Sequence, residues 1–369
     1  MIYCKRCILP STRPGLEVGI DGICNACKSN SLNKTDQINW QTREKEFIEI
    51  IKDNKSKTNW DCVVPVSGGK DSTWAVIKAL KYGLKPLCVT WKTAKRNKIG
   101  EKNLNNLINL GVDHIDFSIN PRVEKIFTKK AFISKGIPLI PMHLAIYNLP
   151  IRIAIDFKIP IVLYGENSAI EYGGDKKYHT KELTKEWLLK FGVSGGTVAK
   201  DWVSDDLSEK DLIPYSTPMN HSFKPKALFL STFFEWSVFI TKKSAQENGL
   251  IIPLDAKTGT HAFSDIDEEF LVTIHHWLKW YKFGFTRRWD NLSLDIRSGK
   301  LSREDAINSL ISSPEKLPKK EIKEFSDYID ISEDDFFKHA NKFRNHEVWS
   351  KDEKNNWHIK NPLHQDLKI

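Results

Sequence analysis

At 369 residues the chain can bury a full core and has room for two or three domains, because single cores stop growing near ~250 to 300 residues. Lys and Arg number 56 against 47 Asp and Glu, giving a net charge of +9 and a pI of about 9.0. That balance favours an anionic partner such as a nucleotide, a nucleotide-sugar or RNA, although the basic residues are spread over Lys/Asn-rich segments and composition alone reads equally as a solvated surface. No apolar run approaches the ~20 residues of a membrane span and Met1 to Leu9 is too short for a signal peptide, so the expectation is a cytoplasmic protein without a membrane partner.

The chain opens with Cys4-x-x-Cys7 and Cys24-x-x-Cys27, separated by 16 residues that contain Pro10, Pro14, Gly15, Gly19 and Gly22. Two short knuckles joined by a turn-rich loop can close four thiolates around Zn2+, and with every position filled by protein that zinc is structural. Disulfides would be the alternative in a secreted chain, but a reducing compartment argues against them. Residues 1–35 are therefore expected to form a zinc knuckle, and a connecting helix is expected over 40–51. The remaining cysteines, Cys62 and Cys88, lie in apolar runs and read as core.

Strand-like and helix-like patterns then alternate: strand 61–67, helix 72–82, strand 86–91, helix 100–110, strand 114–119, helix 121–135, helix 144–157 and strand 159–164. Short connections between alternating elements imply a parallel sheet with helices on both faces. Pro65 conflicts with a ladder position and is accommodated near the strand end. The α/β domain is expected to span 36–255, with a polar, broken insertion near 176–210 on the substrate side. The aromatic stretch 228–240 reads as core. The remainder, 256–369, is expected to be mainly helical, with helices over 265–283 and 303–312, the latter capped by Ser302. His275 and His276 are adjacent, so they make a poor metal pair. No internal repeat is evident.

Ligands of open parallel sheets bind beyond the carboxyl ends of the strands. The first strand there meets Ser67-Gly68-Gly69-Lys70-Asp71-Ser72 and a helix, so that free amides and a lysine gather at the positive end of a helix, where phosphate binds. Asp71 follows Lys70 where a Walker A loop has Ser or Thr, so this is a different phosphate loop. A solvated Gly-Gly turn is the bland alternative. Thr90 ends the second strand. Gly165-Glu166-Asn167 and Glu171-Tyr172-Gly173-Gly174 end the fourth, where Glu166 and Glu171 can hold magnesium, an acceptor group or a sugar hydroxyl, or simply serve turn and cap chemistry. Arg287 and Arg288 follow a glycine turn and can clamp phosphate or carboxylate, with surface salt bridges as an equal account.

Ser67 to Ser72 resembles the PP-loop of the ATP pyrophosphatase superfamily, which splits ATP into AMP and pyrophosphate. Taken in order, the knuckle, Val64 to Ser72, Gly165 to Asn167 with Glu171 to Gly174, Lys282-Phe283-Gly284-Phe285 with an arginine, Ile296-Arg297 with Arg303-Glu304, and Phe343-Arg344-Asn345 with Trp349 resemble the N-acetyl sugar amidotransferases of bacterial O-antigen and pseudaminic-acid type glycan pathways. That family has glycine and then Arg-Ala after Phe285; Thr286-Arg287-Arg288-Trp289 leaves the arginine register open. The resemblance implies an ATP-dependent, AMP-forming carbon–nitrogen ligase that turns an acetamido group of a sugar into an acetamidino group through an adenylated imidate and ammonia. It implies ATP and Mg2+ as cofactors, held by Ser67, Gly68, Gly69, Lys70, Asp71, Ser72, Thr90 and Gly165. Lys70, Asp71, Glu166 and Glu171 are expected in catalysis, and Asn167, Tyr172 and Arg287 or Arg288 at the sugar. With four cysteines committed to zinc and two buried, no glutaminase nucleophile remains. The resemblance accordingly implies a separate glutaminase and a barrel-forming partner that passes ammonia. A PP-loop tRNA-modifying enzyme, by thiolation or lysidine-type ligation, is the alternative. Against it stand the lack of a poised cysteine and of a compact basic stripe with interleaved aromatics. A non-enzymatic zinc module would leave the PP-loop without a purpose.

Overall fold

The computed structural model describes residues 1–35, 38–218, 221–252 and 270–363. Five strands form one parallel sheet: β1 (Cys62–Pro65), β2 (Pro86–Trp91), β3 (Asp113–Phe117), β4 (Ile161–Tyr164) and β5 (Lys226–Phe229), in the order β3-β2-β1-β4-β5. Alternate residues face opposite sides. Cys62, Val64, Cys88, Ile161, Leu163 and Leu228 meet one helical layer; Val63, Leu87, Val89, Val162, Tyr164 and Phe229 meet the other. Cys62 and Cys88 are thus core residues, and burial pushes the Cys88 thiol up to about 12.

The helices preceding and crossing the sheet are α1 (Asn25–Thr35), α2 (Trp40–Asp53), α3 (Lys70–Lys81), α4 (Lys98–Ile108), α5 (Pro121–Lys135) and α6 (Ile140–Asp156). α3 begins at Lys70 rather than at 72, because Gly69 enters the helix in extended backbone with no side chain to compete for the first amides. α4 begins at Lys98 because Asn97 accepts from the Gly100 amide at 2.7 Å. α6 begins at Ile140, four residues before the expected 144, since proline is well tolerated in a first turn and Pro141 stands there. Pro65 closes β1, and the ladder resumes one residue later with Val66 N–H donating to Val89 at 2.8 Å.

The expected insertion is folded into the body. After the short α7 (Ser168–Glu171) come α8 (Lys185–Phe191) and a packed aromatic region in which Trp202 and Tyr215 lie against Phe127. The stretch 228–240, expected only as core, takes in the last two residues of β5 and runs into α9 (Val238–Glu247). The C-terminal region comprises α10 (Phe270–Phe283), α11 (Arg287–Ser298), α12 (Arg303–Ser312), α13 (Lys319–Tyr328), α14 (Glu333–Lys342) and the hairpin β6 (Trp349–Lys351) and β7 (Trp357–Ile359). Positions 265–269 of the expected helix and the expected boundaries at 35/36 and 255/256 lie outside the described residues or border on them.

The N-terminal knuckle packs on this C-terminal region. Tyr3, Ile8, Leu9 and Leu16 share a core with Phe285, Trp289, Leu292, Ala306 and Ile307. Arg303 donates to the Cys7 carbonyl at 2.9 Å, and Thr12 to that of Phe283 at 2.6 Å. The Sγ atoms of Cys4, Cys7, Cys24 and Cys27 all lie within 4.8 Å of one another, with Cys4–Cys27 at 4.0 Å and Cys7–Cys24 at 3.8 Å. A zinc tetrahedron with ~2.3 Å bonds needs sulfurs ~3.8 Å apart, so the donors fit that ion. Backbone N–H groups of Cys7 and Cys24 point at the Cys4 sulfur at 3.5 and 3.3 Å, which favours thiolate there. Purified protein should carry one zinc per chain. Cys24→Ser should reduce that content and lower the melting temperature, and metal analysis returning well under one zinc would refute the site.

Candidate active site

The strand order reverses on either side of β1, and the main cleft opens there, beyond the carboxyl ends of β1, β2 and β4. Its volume is about 410 Å³. The floor is the loop between β1 and α3. Ser67, Gly69, Lys70, Asp71 and Ser72 line it, and Gly69 offers no capping side chain, so first-turn amides of α3 are available to an anion. Gly68 lies behind. Its φ is +86°, and a Cβ there would stand 2.6 Å from the Leu104 nitrogen, so only glycine lets α4 press on the loop. The Lys70 ammonium is buried and meets Asp71 at 2.5 Å, while Trp236 donates to the other Asp71 oxygen at 3.1 Å. Thr90 borders the cleft, with its hydroxyl donating to Val66 at 2.7 Å and resting 2.8 Å from His114 Nε2.

Gly165 and Glu166, after β4, form the acidic wall. Burial, reinforced by the charge of Asp71 and opposed by Lys70, pushes the Glu166 carboxyl up to about 8. Glu171 is also pushed well above the carboxylate range, first by burial and then by Glu166 and Asp71, but it lines a neighbouring, smaller cavity. Asn167 does not reach the cleft. It is fully buried, donates to the carbonyls of Tyr178 and Thr180 at 3.1 and 2.9 Å, and accepts from Trp187 and the Ala169 amide at 2.9 Å each. Those bonds use up its amide, and its place is architectural.

The two arginines separate. Arg287 lines the cleft, donates to the Tyr172 hydroxyl at 2.8 Å and lies 4.8 Å over that ring. Tyr172 thereby orients the guanidinium from behind. Arg288 points the other way, to the carbonyls of Ser309 and Ser313 at the C-terminal end of α12, at 2.7 and 2.5 Å. It caps that helix, as a cation at a negative helix end does, and cannot also serve the cleft. A cation at the first position of α11 is electrostatically disfavoured. Asp290, in the same turn, offsets it.

Sequence reasoning missed most of the third wall. His143 of α6 and His275, His276 and Lys279 of α10 all border the cleft. Neighbours on a helix point ~100° apart, yet α10 lies along the cleft and presents an arc wide enough for both imidazoles. They do not form a metal group: among the described residues only the four cysteines do. His143 Nδ1 sits 2.9 Å from the Leu139 carbonyl and so must carry the proton, leaving Nε2 as an acceptor. Burial lowers His143 to about 4 and holds His275 well below the usual imidazole range, so both rings are neutral at pH 7. Lys279 is lowered to about 8 by burial against the pull of Asp290. The i, i+4 pair of His275 and Lys279 was the available signal.

The cleft thus places an anion-binding floor with a buried lysine between an acidic wall and a wall of imidazoles and one arginine. Phosphate chemistry can proceed on the floor while a neutral or anionic polar group docks opposite. Because Glu166 is protonated in the folded state at pH values where an unfolded glutamate is charged, folding takes up a proton between about 4.5 and 8, and its contribution to stability falls as pH rises through that window. Glu166→Gln should therefore flatten the decline in melting temperature from pH 5 to pH 8. An unchanged slope would show that Glu166 titrates normally.

Residues 260–363 match the family model described as LPS biosynthesis protein WbpG-like, C-terminal domain. No curated protein matches the chain significantly. Among solved structures, NMN synthetase from Francisella tularensis is similar at 18% identity, over 42% of this chain and 70% of that one, with a TM-score of 0.28. The segment that carries His275, His276, Lys279 and Arg287 to the cleft is thus similar to the C-terminal domain of WbpG-like lipopolysaccharide-biosynthesis proteins.

Proposed function

We propose that the chain is an ATP-dependent, AMP-forming amidotransferase that converts an acetamido group of a bacterial surface-glycan sugar into an acetamidino group. The observation that carries this reading is the pairing within one cleft of a phosphate loop with a wall from the segment that matches a lipopolysaccharide-biosynthesis domain. The triphosphate lies on the amides of the loop, with Ser67, Ser72 and Lys70 at its oxygens. Asp71 would be a carboxylate ligand for Mg2+, an ion that takes one or two carboxylates, keeps its waters and would offset phosphate charge. The sugar binds against Arg287 and the imidazoles.

An amide oxygen is a poor leaving group. It attacks the α-phosphorus as the bond to pyrophosphate breaks, and the amide N–H proton passes to a base, for which Glu166 is positioned once ionised. Lys70 and the amides neutralise the departing pyrophosphate. Ammonia then forms a C–N bond, one of its protons moves to the ring-linked nitrogen, and AMP leaves with the C–O electron pair. The product is an amidinium cation, which Glu166 can face as a carboxylate once the proton it took has passed to water.

All six cysteines are buried, which disfavours both the sulfur-transfer alternative and an internal glutaminase. The ammonia would come from a separate glutaminase through a barrel-forming partner. Incubation with ATP, ammonium and the N-acetylated sugar should release AMP and pyrophosphate. Lys70→Ala should slow turnover by about 2 to 4 kcal/mol of transition-state stabilisation. Products of ADP and phosphate would overturn the assignment.

A further inference from the structure

A second cavity, of about 160 Å³, lies where the knuckle, α7, the start of α9 and α11 converge. That is well below the ~300 to 1,000 Å³ of ordinary ligand clefts, so it suits a guest of very few atoms. One end is at the surface, where Ser298 and Lys300 are exposed and Phe239 is 56% exposed with the Lys300 ammonium 4.3 Å above its ring. Glu171 and Trp236 line the cavity as well. Both adjoin residues of the main cleft: Trp236 donates to Asp71 at 3.1 Å, and Glu171 feels the charges of Glu166 and Asp71.

The lining is unusual for a packing defect. Arg297 is only 5% exposed, and its Nη1 has no hydrogen-bond partner among the described residues; the same holds for Asn30 Oδ1. Leaving such atoms dry and unpaired costs ~1 to 3 kcal/mol each. A guest that satisfies both must accept a hydrogen bond from the guanidinium and donate one to the amide oxygen. Ammonia and water do both. Ammonium has no lone pair with which to accept from the guanidinium, although the carboxyl groups of Glu171 and Asp295 also line the cavity.

We propose that this cavity is the route by which neutral ammonia reaches the adenylated acceptor, entering past Phe239 and Ser298 and arriving beside Glu171 behind the phosphate loop. The proposal rests on the amidine-forming reaction put forward above. It separates the nitrogen path from the cleft that ATP and sugar fill, and its unpaired donor at Arg297 selects a guest that keeps a lone pair.

Ser298→Trp at the exposed mouth and Val238→Trp on the wall should obstruct the route, with Ser298→Ala as the unobstructed control. Sugar-dependent exchange of labelled pyrophosphate into ATP reports adenylation without nitrogen, and amidine formation from ammonium chloride reports the later step. For both tryptophan variants, exchange should stay within about twofold of the parent while kcat/KM for ammonium falls about tenfold or more, a loss of about 1.4 kcal/mol. Methylamine should lose more still. If exchange persists and ammonium use is undiminished in both variants, the route is wrong. It is equally wrong if only nitrogen-independent hydrolysis of the adenylate slows, which would make the cavity a water path. Absence of sugar-dependent exchange in the parent protein would instead remove the amidotransfer reaction itself.

Discussion

Asp290 is the residue on which the cleft depends. It is 3% exposed and pairs with Arg13 of the knuckle at 2.8 Å and with Lys279 of α10 at 3.5 Å. Burial alone would raise its pKa, but the charges of Arg13, Lys279 and Arg287 overcome that and hold it far below the ordinary carboxylate range. One carboxylate therefore joins three separate parts of the chain. Removing it would leave two half-buried cations without their shared carboxylate, a larger penalty than the loss of an exposed pair. Asp290 sits in the turn that begins with Arg287, so the same pairs fasten the start of the helix that carries that arginine.

The knuckle acts through this joint. Its cysteines never approach the cleft, yet Gly173, at φ +84°, lies so close to the knuckle that a Cβ would come within 2.1 Å of Ala26 Cβ. The loop that presents Tyr172 to Arg287 is thus pressed between the knuckle and Phe191 of α8. Zinc, where bound, fixes that surface without touching a reacting atom, and the glycines of Glu171-Tyr172-Gly173-Gly174 answer to packing as much as to chemistry. Gly174 repeats the point, with a Cβ 2.4 Å from the Phe191 ring.

What was legible in the sequence was what is contiguous. The phosphate loop, the first four strands, the Cys-x-x-Cys pairs and the cap at Ser302, which accepts from the Asp305 amide at 3.0 Å, depend on neighbours within a few residues and were readable. β5 was not, because Lys226–Phe229 sits in an aromatic run whose hydrophobicity fits buried helix and buried strand alike. Asn167 looked like a ligand because it follows Gly165 and Glu166, which line the cleft, and its four bonds to residues 169–187 emerge only in three dimensions. The arginine register could not be settled locally either, since the carbonyls that claim Arg288 come from the end of α12. Likewise, the imidazole wall requires α10 to be laid across α6, a placement made by Phe132, Leu139, Trp277 and Phe336, far apart in sequence.

The closure of the knuckle on the C-terminal helices has a kinetic side. Arg303 and Cys7 are 296 positions apart, Arg13 and Asp290 are 277, and Tyr3 bonds to the Asn361 carbonyl across 358. Contacts of such separation form only after the intervening chain has been ordered, because their loop entropy is otherwise unrewarded. The parallel sheet must therefore fold while the apolar faces of the knuckle and of α11 are still uncovered. During synthesis those faces remain open until the distal helices exist, so early metal capture would hold the N-terminal segment compact through the interval in which it is most prone to wrong partners.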